Sequence, residues 1–192
     1  MMRFEHTTTT RTLLAALGLA AAAALPVGAQ ENGSDAASPA TRLDDSQIAA
    51  IVVAANTIDV RYGEIARERA QNPRVKEFAE SMIASHAAVN ESAGKLVERL
   101  GVTPQANDIS RSLESSASET RETLSSKSGA DFDRAYIDNE VAYHRAVLDA
   151  LDNLLIPNAR NAELRDTLVA VRPSFEAHLR HAQSLQEELS GS

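Results

Sequence analysis

Four stretches of this chain repeat apolar residues at alternating spacings of four and three, each over at least five helical turns, and that pattern admits very few folds. The first runs through Ile48, Val52, Ala55, Asp59, Tyr62 and Ala66, and the second through Val75, Ala79, Met82, His86, Val89, Ala93, Leu96 and Leu100. The third runs through Ile137, Val141, His144, Leu148, Leu151 and Leu155, and the fourth through Leu164, Leu168, Val171, Phe175, His178, Ala182, Leu185 and Leu189. A mean spacing of about 3.5 residues keeps every member on one face of an α-helix, so each run needs partners to cover it. At about 1.5 Å per residue these are helices of roughly 40 Å, the length of a bundle helix.

The punctuation between the runs supports the same reading. Asp44 followed by Gln47 predicts a capping box at the first helix start, and Asn72-Pro73 predicts a stop followed at once by a new N-cap and first turn. Gly101 predicts the end of the second helix. The connection from Val102 to Ser128 contains a Ser-rich, weakly amphipathic segment, Asp108 to Leu124, expected as a short extra helix. The third helix is expected from about Phe132 to Leu155, a tight turn over Ile156 to Ala159, and the fourth helix from about Asn161. Pro173 lies inside that last run and predicts a kink or break near Arg172. Short turns after the first and third helices and a longer crossing between the second and third give an all-α, antiparallel four-helix bundle.

Aromatic residues make up only 4% of the 192 residues, which removes support for strands. A net charge of -8 without a Lys/Arg stripe excludes general nucleic-acid binding. The absence of Cys excludes disulfides, thiolate metal sites and a thiol nucleophile, leaving His, carboxylate or Tyr to hold any metal. No Gly-rich strand-to-helix motif supports a phosphate loop or dinucleotide site.

The N-terminus reads as an address. Arg3 and Arg11 precede an Ala/Leu run from Leu13 to Leu25, Pro26 breaks it, and Val27-Gly28-Ala29 suits a signal peptidase. The expected organisation is a cleaved secretory leader over 1–29, a flexible tether over 30–43 and a bundle over 44–190. The apolar run falls short of the ~20 residues a membrane span needs. A periplasmic or secreted product follows, with no integral span in the mature chain.

Each apolar stripe also carries one polar residue where a leucine would fit: Asp59, His86, His144 and His178. Asp59 lies thirteen residues before Asn72 and His86 fourteen after it, which sets them at one level of a hairpin. His144 lies fourteen residues before Asn158 and His178 twenty after it, close to the same level. Two readings are open. One carboxylate and three imidazoles could ligate a single divalent ion such as Zn, Fe, Mn or Cu, or the same groups could form a metal-free hydrogen-bonded network with Tyr62, Tyr136 and Tyr143. Glu140 is expected as an outer neighbour of His144, His181 at the bundle edge, and Glu64, Glu68 and Glu77 on a solvated face.

Several segments around these positions resemble a known family. They are Asp59-Val60-Arg61-Tyr62-Gly63-Glu64-Ile65-Ala66, Val75-Lys76-Glu77-Phe78-Ala79 through His86, Phe132-Asp133-Arg134-Ala135-Tyr136 through His144, and Pro173-Ser174-Phe175-Glu176-Ala177-His178. Together they resemble the ferritin-like domain of unknown function 4142, found in exported bacterial proteins often labelled as outer-membrane proteins. The resemblance spans about Asp44 to Leu189 and implies a ferritin-like bundle outside the cytoplasm, with no biochemical activity attached. Asp59 stands where that family usually has Glu, and Ser85 and Tyr143 where it often has Asp. The wider ferritin-like superfamily uses paired Glu-x-x-His motifs, but Ile83, Val141 and Phe175 occupy the positions three before the histidines here. A ferroxidase-type di-iron centre is therefore not supported.

These observations favour a non-enzymatic envelope protein binding one ion, in envelope stress or metal handling. A metal-dependent redox enzyme and a metal-free scaffold docking another envelope protein are the alternatives.

Overall fold

A computed structural model describes residues 42–191, so the leader and nearly all of the tether lie outside the described residues. The elements are α1 (Asp45–Arg69), α2 (Pro73–Leu100), α3 (Asp108–Ser125), α4 (Gly129–Ala150) and α5 (Ala162–Ser190). A π-helical turn, Leu151–Leu155, and an α-helical turn, Ile156–Asn158, extend α4 toward α5. No strand occurs among the described residues, and the architecture is the expected helical bundle.

Local chemistry sets the helix ends. Asp44 and Gln47 form the reciprocal capping box at α1, with Gln47 N donating to Asp44 Oδ1 at 2.9 Å and Asp44 N to Gln47 Oε1 at 3.2 Å. Asn72 caps α2 with Pro73 in its first turn, and Gly101 ends it in the left-handed conformation at φ 65°. The short crossing helix is present as α3, closed by a second capping box between Asn107 and Ser110.

Two aspartates tie the hairpins together in the same way. The Asp133 carboxylate, in the first turns of α4, accepts from Gln71 N at 3.0 Å and Asn72 N at 2.8 Å in the α1–α2 turn. At the opposite end, the Asp45 carboxylate of α1 accepts from Arg160 N at 2.8 Å and Asn161 N at 3.0 Å in the turn before α5. Each hairpin's turn is thus held by the other's helix start, which fixes the relative height of all four long helices. Both acids satisfy backbone N–H groups that a helix end otherwise leaves without partners.

Three sequence expectations need adjustment. The π-helical turn carries the third helix beyond Leu155 to Asn158, so the turn falls at Ala159 to Asn161 instead of Ile156 to Ala159. Leu43, placed at the end of the tether, is buried and belongs to the core. The break at Pro173 does not occur, because α5 continues through it. Proline removes only one backbone bond there, while Phe175 is buried beside it and Arg172 is anchored to Asp152 at 2.7 Å and Glu176 at 2.6 Å.

Buried apolar residues form two clusters. One is rich in rings, with Tyr62, Phe78, Phe132 and Tyr136, and includes Met82 and Leu185. The other is almost wholly aliphatic, with Ile48, Ile51, Leu96, Leu151, Leu155, Leu164 and Leu168, and has Phe175 as its single ring. Along the helices His86, His144 and His178 lie between the two clusters, and Asp59 lies at the edge of the first, between Ile58 and Tyr62.

Candidate metal centre

Each long helix delivers one of these polar residues to the middle of the bundle. Asp59 on α1, His86 on α2 and His144 on α4 are buried, and His178 on α5 is half-buried at the solvent side. His86 Nε2 lies 3.4 Å and His144 Nε2 3.8 Å from Asp59 Oδ2. One nitrogen from each of His86, His144 and His178 falls within 4.8 Å of the others, and the three rings are 5.3–5.5 Å apart by centroid. Phe175 stacks on His86 at 5.2 Å with an interplanar angle of 7°, fixing that ring from the aliphatic side.

The tautomers follow from the partners. Asn56 Nδ2 donates to the Val52 carbonyl at 2.8 Å, so its Oδ1 faces His86 and accepts from Nδ1–H at 2.8 Å. His144 Nδ1–H donates to the Glu140 carbonyl at 3.0 Å. Both rings therefore turn an Nε2 lone pair toward Asp59, the arrangement in which a carbonyl behind a histidine orients it as a ligand. The Nε2 atoms of His86 and His144, both Asp59 oxygens, Glu140 Oε2 and His178 Nδ1 have no hydrogen-bond partner among the described residues.

The surroundings dictate the charge states. Burial pushes the Asp59 carboxyl up to about 8 and Glu140 well above its ordinary range, where the neighbouring Asp59 adds to the effect. Burial pulls His86 down to about 2, helped by His144 and His178, and pulls His144 down to about 4. His178 is lowered by burial and by His181. At neutral pH the imidazoles are neutral acceptors and the acids hold protons. The one proton on Asp59 can serve only one of the two Nε2 lone pairs turned toward it, so the other is left without a donor unless a cation lies between them.

Glu140 differs from the sequence reading. It is fully buried, and one donor atom each from Asp59, Glu140 and His144 lies within 4.8 Å of the others. Its Oε2 is 3.6 Å from His144 Nδ1, while Oε1 accepts weakly from Asn139 Nδ2 at 3.4 Å. The position four before His144 put it on the same helix face, the only signal in the sequence. Asn56, three before Asp59, was missed altogether and carried the same kind of signal. Among the tyrosines, Tyr143 donates to the Ala55 carbonyl at 2.9 Å, Tyr62 hydrogen-bonds Thr120, and the Tyr136 hydroxyl has no partner among the described residues. His181 is exposed and meets the Phe78 ring edge-on at 5.1 Å, and Glu64, Glu68 and Glu77 are exposed, as expected.

A family model described as "Domain of unknown function (DUF4142)" matches residues 30–185. No curated protein matches the chain. A crystal structure from Streptomyces coelicolor, described as a secreted DUF305 protein, is similar with a TM-score of 0.64 at 13% identity, covering 75% of this chain and 92% of that one. This likeness is one of fold. No helix among the described residues is long and apolar enough to cross a membrane.

Proposed function

Since the chain belongs to the DUF4142 family, whose function is unknown, its role has to be argued from its own core, and we propose that it binds one divalent transition-metal ion there. Asp59, His86, His144 and His178 are the assigned ligands. The observation that carries this reading is the convergence of two imidazole Nε2 lone pairs on one buried carboxyl group, which has at most a single proton to share between them. Leaving such groups unpaired costs about 1–3 kcal/mol each, and a cation satisfies all of them at once.

The ion is held in a bundle that acts outside the cytoplasm as a binding protein in metal handling or envelope stress, not as an enzyme. Support comes from the leader-like residues 1–29 and from the description of the structural neighbour as secreted. Residues 30–42 serve as the spacer between the cleavage site and the bundle. Sequencing the N-terminus of the exported protein should find Gln30, and a retained leader would overturn this part.

Elemental analysis of protein purified from the envelope tests the ion. One equivalent of Zn, Fe, Mn or Cu is expected in the native protein and none in the Asp59→Ala, His144→Ala double variant. Absence of stoichiometric metal from the native protein, even after incubation with each ion in turn, would overturn the proposal.

A further inference from the structure

Away from the polar layer, a cavity of about 180 Å³ lies on the seam between α2 and α5, with α1 as its floor. Val52, Val89, Leu96, Leu164, Leu168 and Val171 give it aliphatic walls, and the small side chains of Ala88, Ser92 and Ala93 leave the space open on the α2 side. Unfilled apolar space forfeits packing, so the helices would gain by closing on it. The seam is instead braced at both ends. Asp45 accepts from Arg160 N and Asn161 N at the start of α5, Arg99 of α2 pairs with Glu163 of α5, and beyond Val171 the Phe175 ring is stacked on His86.

The lining decides what fits. A water molecule needs about two to four polar partners, whereas the side chains here offer only the hydroxyls of Ser92 and Thr167, and Thr167 already donates to the Glu163 carbonyl at 2.8 Å. No charged side chain lines the space to balance an ionic ligand. A protein partner is excluded by area: a stable interface buries about 800 Å² on each side, yet Val169 alone is a large hydrophobic side chain on the surface of the described residues. A second copy of the chain meets the same limit. Residues 30–41, which lead into the bundle, contain no large apolar side chain and cannot fill the space themselves. A small apolar molecule meets every condition, and a protein cavity of about 150 Å³ with a comparable apolar lining is known to take up benzene.

We propose that this cavity is a binding site for one uncharged, apolar molecule of single-ring size. It is separate from the metal centre and does not rest on it, since none of Asp59, His86, His144 and His178 lines it. Val52, Leu96 and Leu168 supply the contact surface, and Ala88 and Ser92 stand at the exposed mouth through which the molecule enters.

Benzene is the probe. Titration calorimetry of the native protein should show saturable binding of one benzene per chain, and the melting temperature should rise with benzene, because a ligand of the folded state alone stabilises it. Ala93→Leu occupies the space from within and should weaken binding about tenfold or more, since overfilling costs at least about that factor. Ala88→Leu, at the exposed mouth where an added side chain threatens folding least, should act in the same direction, and Val169→Ser, outside the lining, should change nothing. Circular dichroism checks that each variant is folded. Absence of saturable binding to the native protein would overturn the proposal, as would undiminished binding in both leucine variants. Decanoate bound more tightly than benzene would assign the space to a lipid chain, and a dimer dispersed by Ala88→Leu would assign it to a second copy. Either result overturns the single-ring site.

Discussion

The two halves of the core on either side of the polar layer are built differently. On one side rings lock together: Tyr62 meets Tyr143 edge-on at 5.7 Å, Phe78 meets Tyr136 at 6.1 Å, and Phe132 stacks on Tyr136 at 6.4 Å. On the other side the filling is aliphatic, and a cavity of about 180 Å³ opens among Ala49, Val52, Val89, Ala93, Leu96 and Leu168. Asp59 and Glu140 sit among the rings, whereas the imidazoles rest on Phe175 from the aliphatic half. The acids, whose charges are costly to bury, are thus set in the ring-packed half, away from that cavity. Rigid large groups hold a ligand geometry better than a loosely filled core.

The largest expected effect probes that contrast directly. Phe78→Ala removes a fully buried ring that touches both Tyr136 and His181, and should cost about 3–5 kcal/mol. Leu168→Ala, bordering an existing cavity, should fall near the lower end of the ~2–5 kcal/mol range for leucine. Urea denaturation measures both. Equal losses would erase the distinction between the halves.

Next in size is the response of the metal-free protein to pH. The folded Asp59 carboxyl titrates near 8, well above its unfolded value, so it favours the native state at low pH and that contribution is lost as pH rises toward 8. Glu140, raised in the same direction, adds to the loss. His86 and His144, lowered to about 2 and about 4, act oppositely, but only below the unfolded histidine value of about 6.5. Between about pH 6.5 and 8 the acids alone remain, and stability should fall by roughly 1.4 kcal/mol per pH unit for Asp59, with Glu140 acting in the same direction. Thermal melts across that window check this, with the decline vanishing in Asp59→Asn, Glu140→Gln. A flat profile in the native metal-free protein would mean that the ring-packed half does not desolvate its acids.

How much of this was legible in the sequence depends on the range of the interactions involved. Capping boxes at Asp44 and the Asn72-Pro73 junction are local, and they were readable residue by residue. Asp59, His86, His144 and His178 stood out because each interrupts an apolar stripe, and the matched lengths between turns set their height. Glu140 was legible only as an outer neighbour of His144, one turn before it on the same helix, because its place next to Asp138 and Asn139 gives no sign of full burial. Its burial comes from neighbours distant in sequence, with α3 packed against α1 and α4. The π-helical turn at Leu151–Leu155 was equally hidden, since apolar spacing at 148, 151 and 155 fits an ordinary helix. At Pro173 the local penalty was legible but not its outcome: of the expected kink or break the break is absent, since Phe175 and the Arg172 ion pairs hold the helix continuous through it.

A smaller effect tests whether the aliphatic half orients the imidazoles through Asn56. Asn56→Ala leaves every ligand in place but removes the acceptor that fixes His86 with Nε2 toward Asp59. Ion affinity should weaken about 10- to 100-fold, the range for losing such a partner. Titration with Mn(II) and Zn(II) measures it, and unchanged affinity would show that Phe175 stacking alone orients the ring.

The smallest expected effect comes from filling the cavity. Ala93→Val adds two methyl groups facing Val89, Leu96 and Leu168, where the aliphatic half is open. Cavity-filling changes commonly gain about 0.5–2 kcal/mol, and this one belongs at the low end because part of the space is open to solvent. Because the cavity lies one helical turn beyond His86 along α2 and one turn short of Phe175 on α5, the gain should come with ion affinity changed less than about threefold. If Ala93→Val instead alters affinity as strongly as Asn56→Ala does, the two halves are mechanically coupled through Phe175. The slack in the aliphatic half would then belong to the working of the site, and the division between a rigid acid side and a separate, loosely filled side would fail.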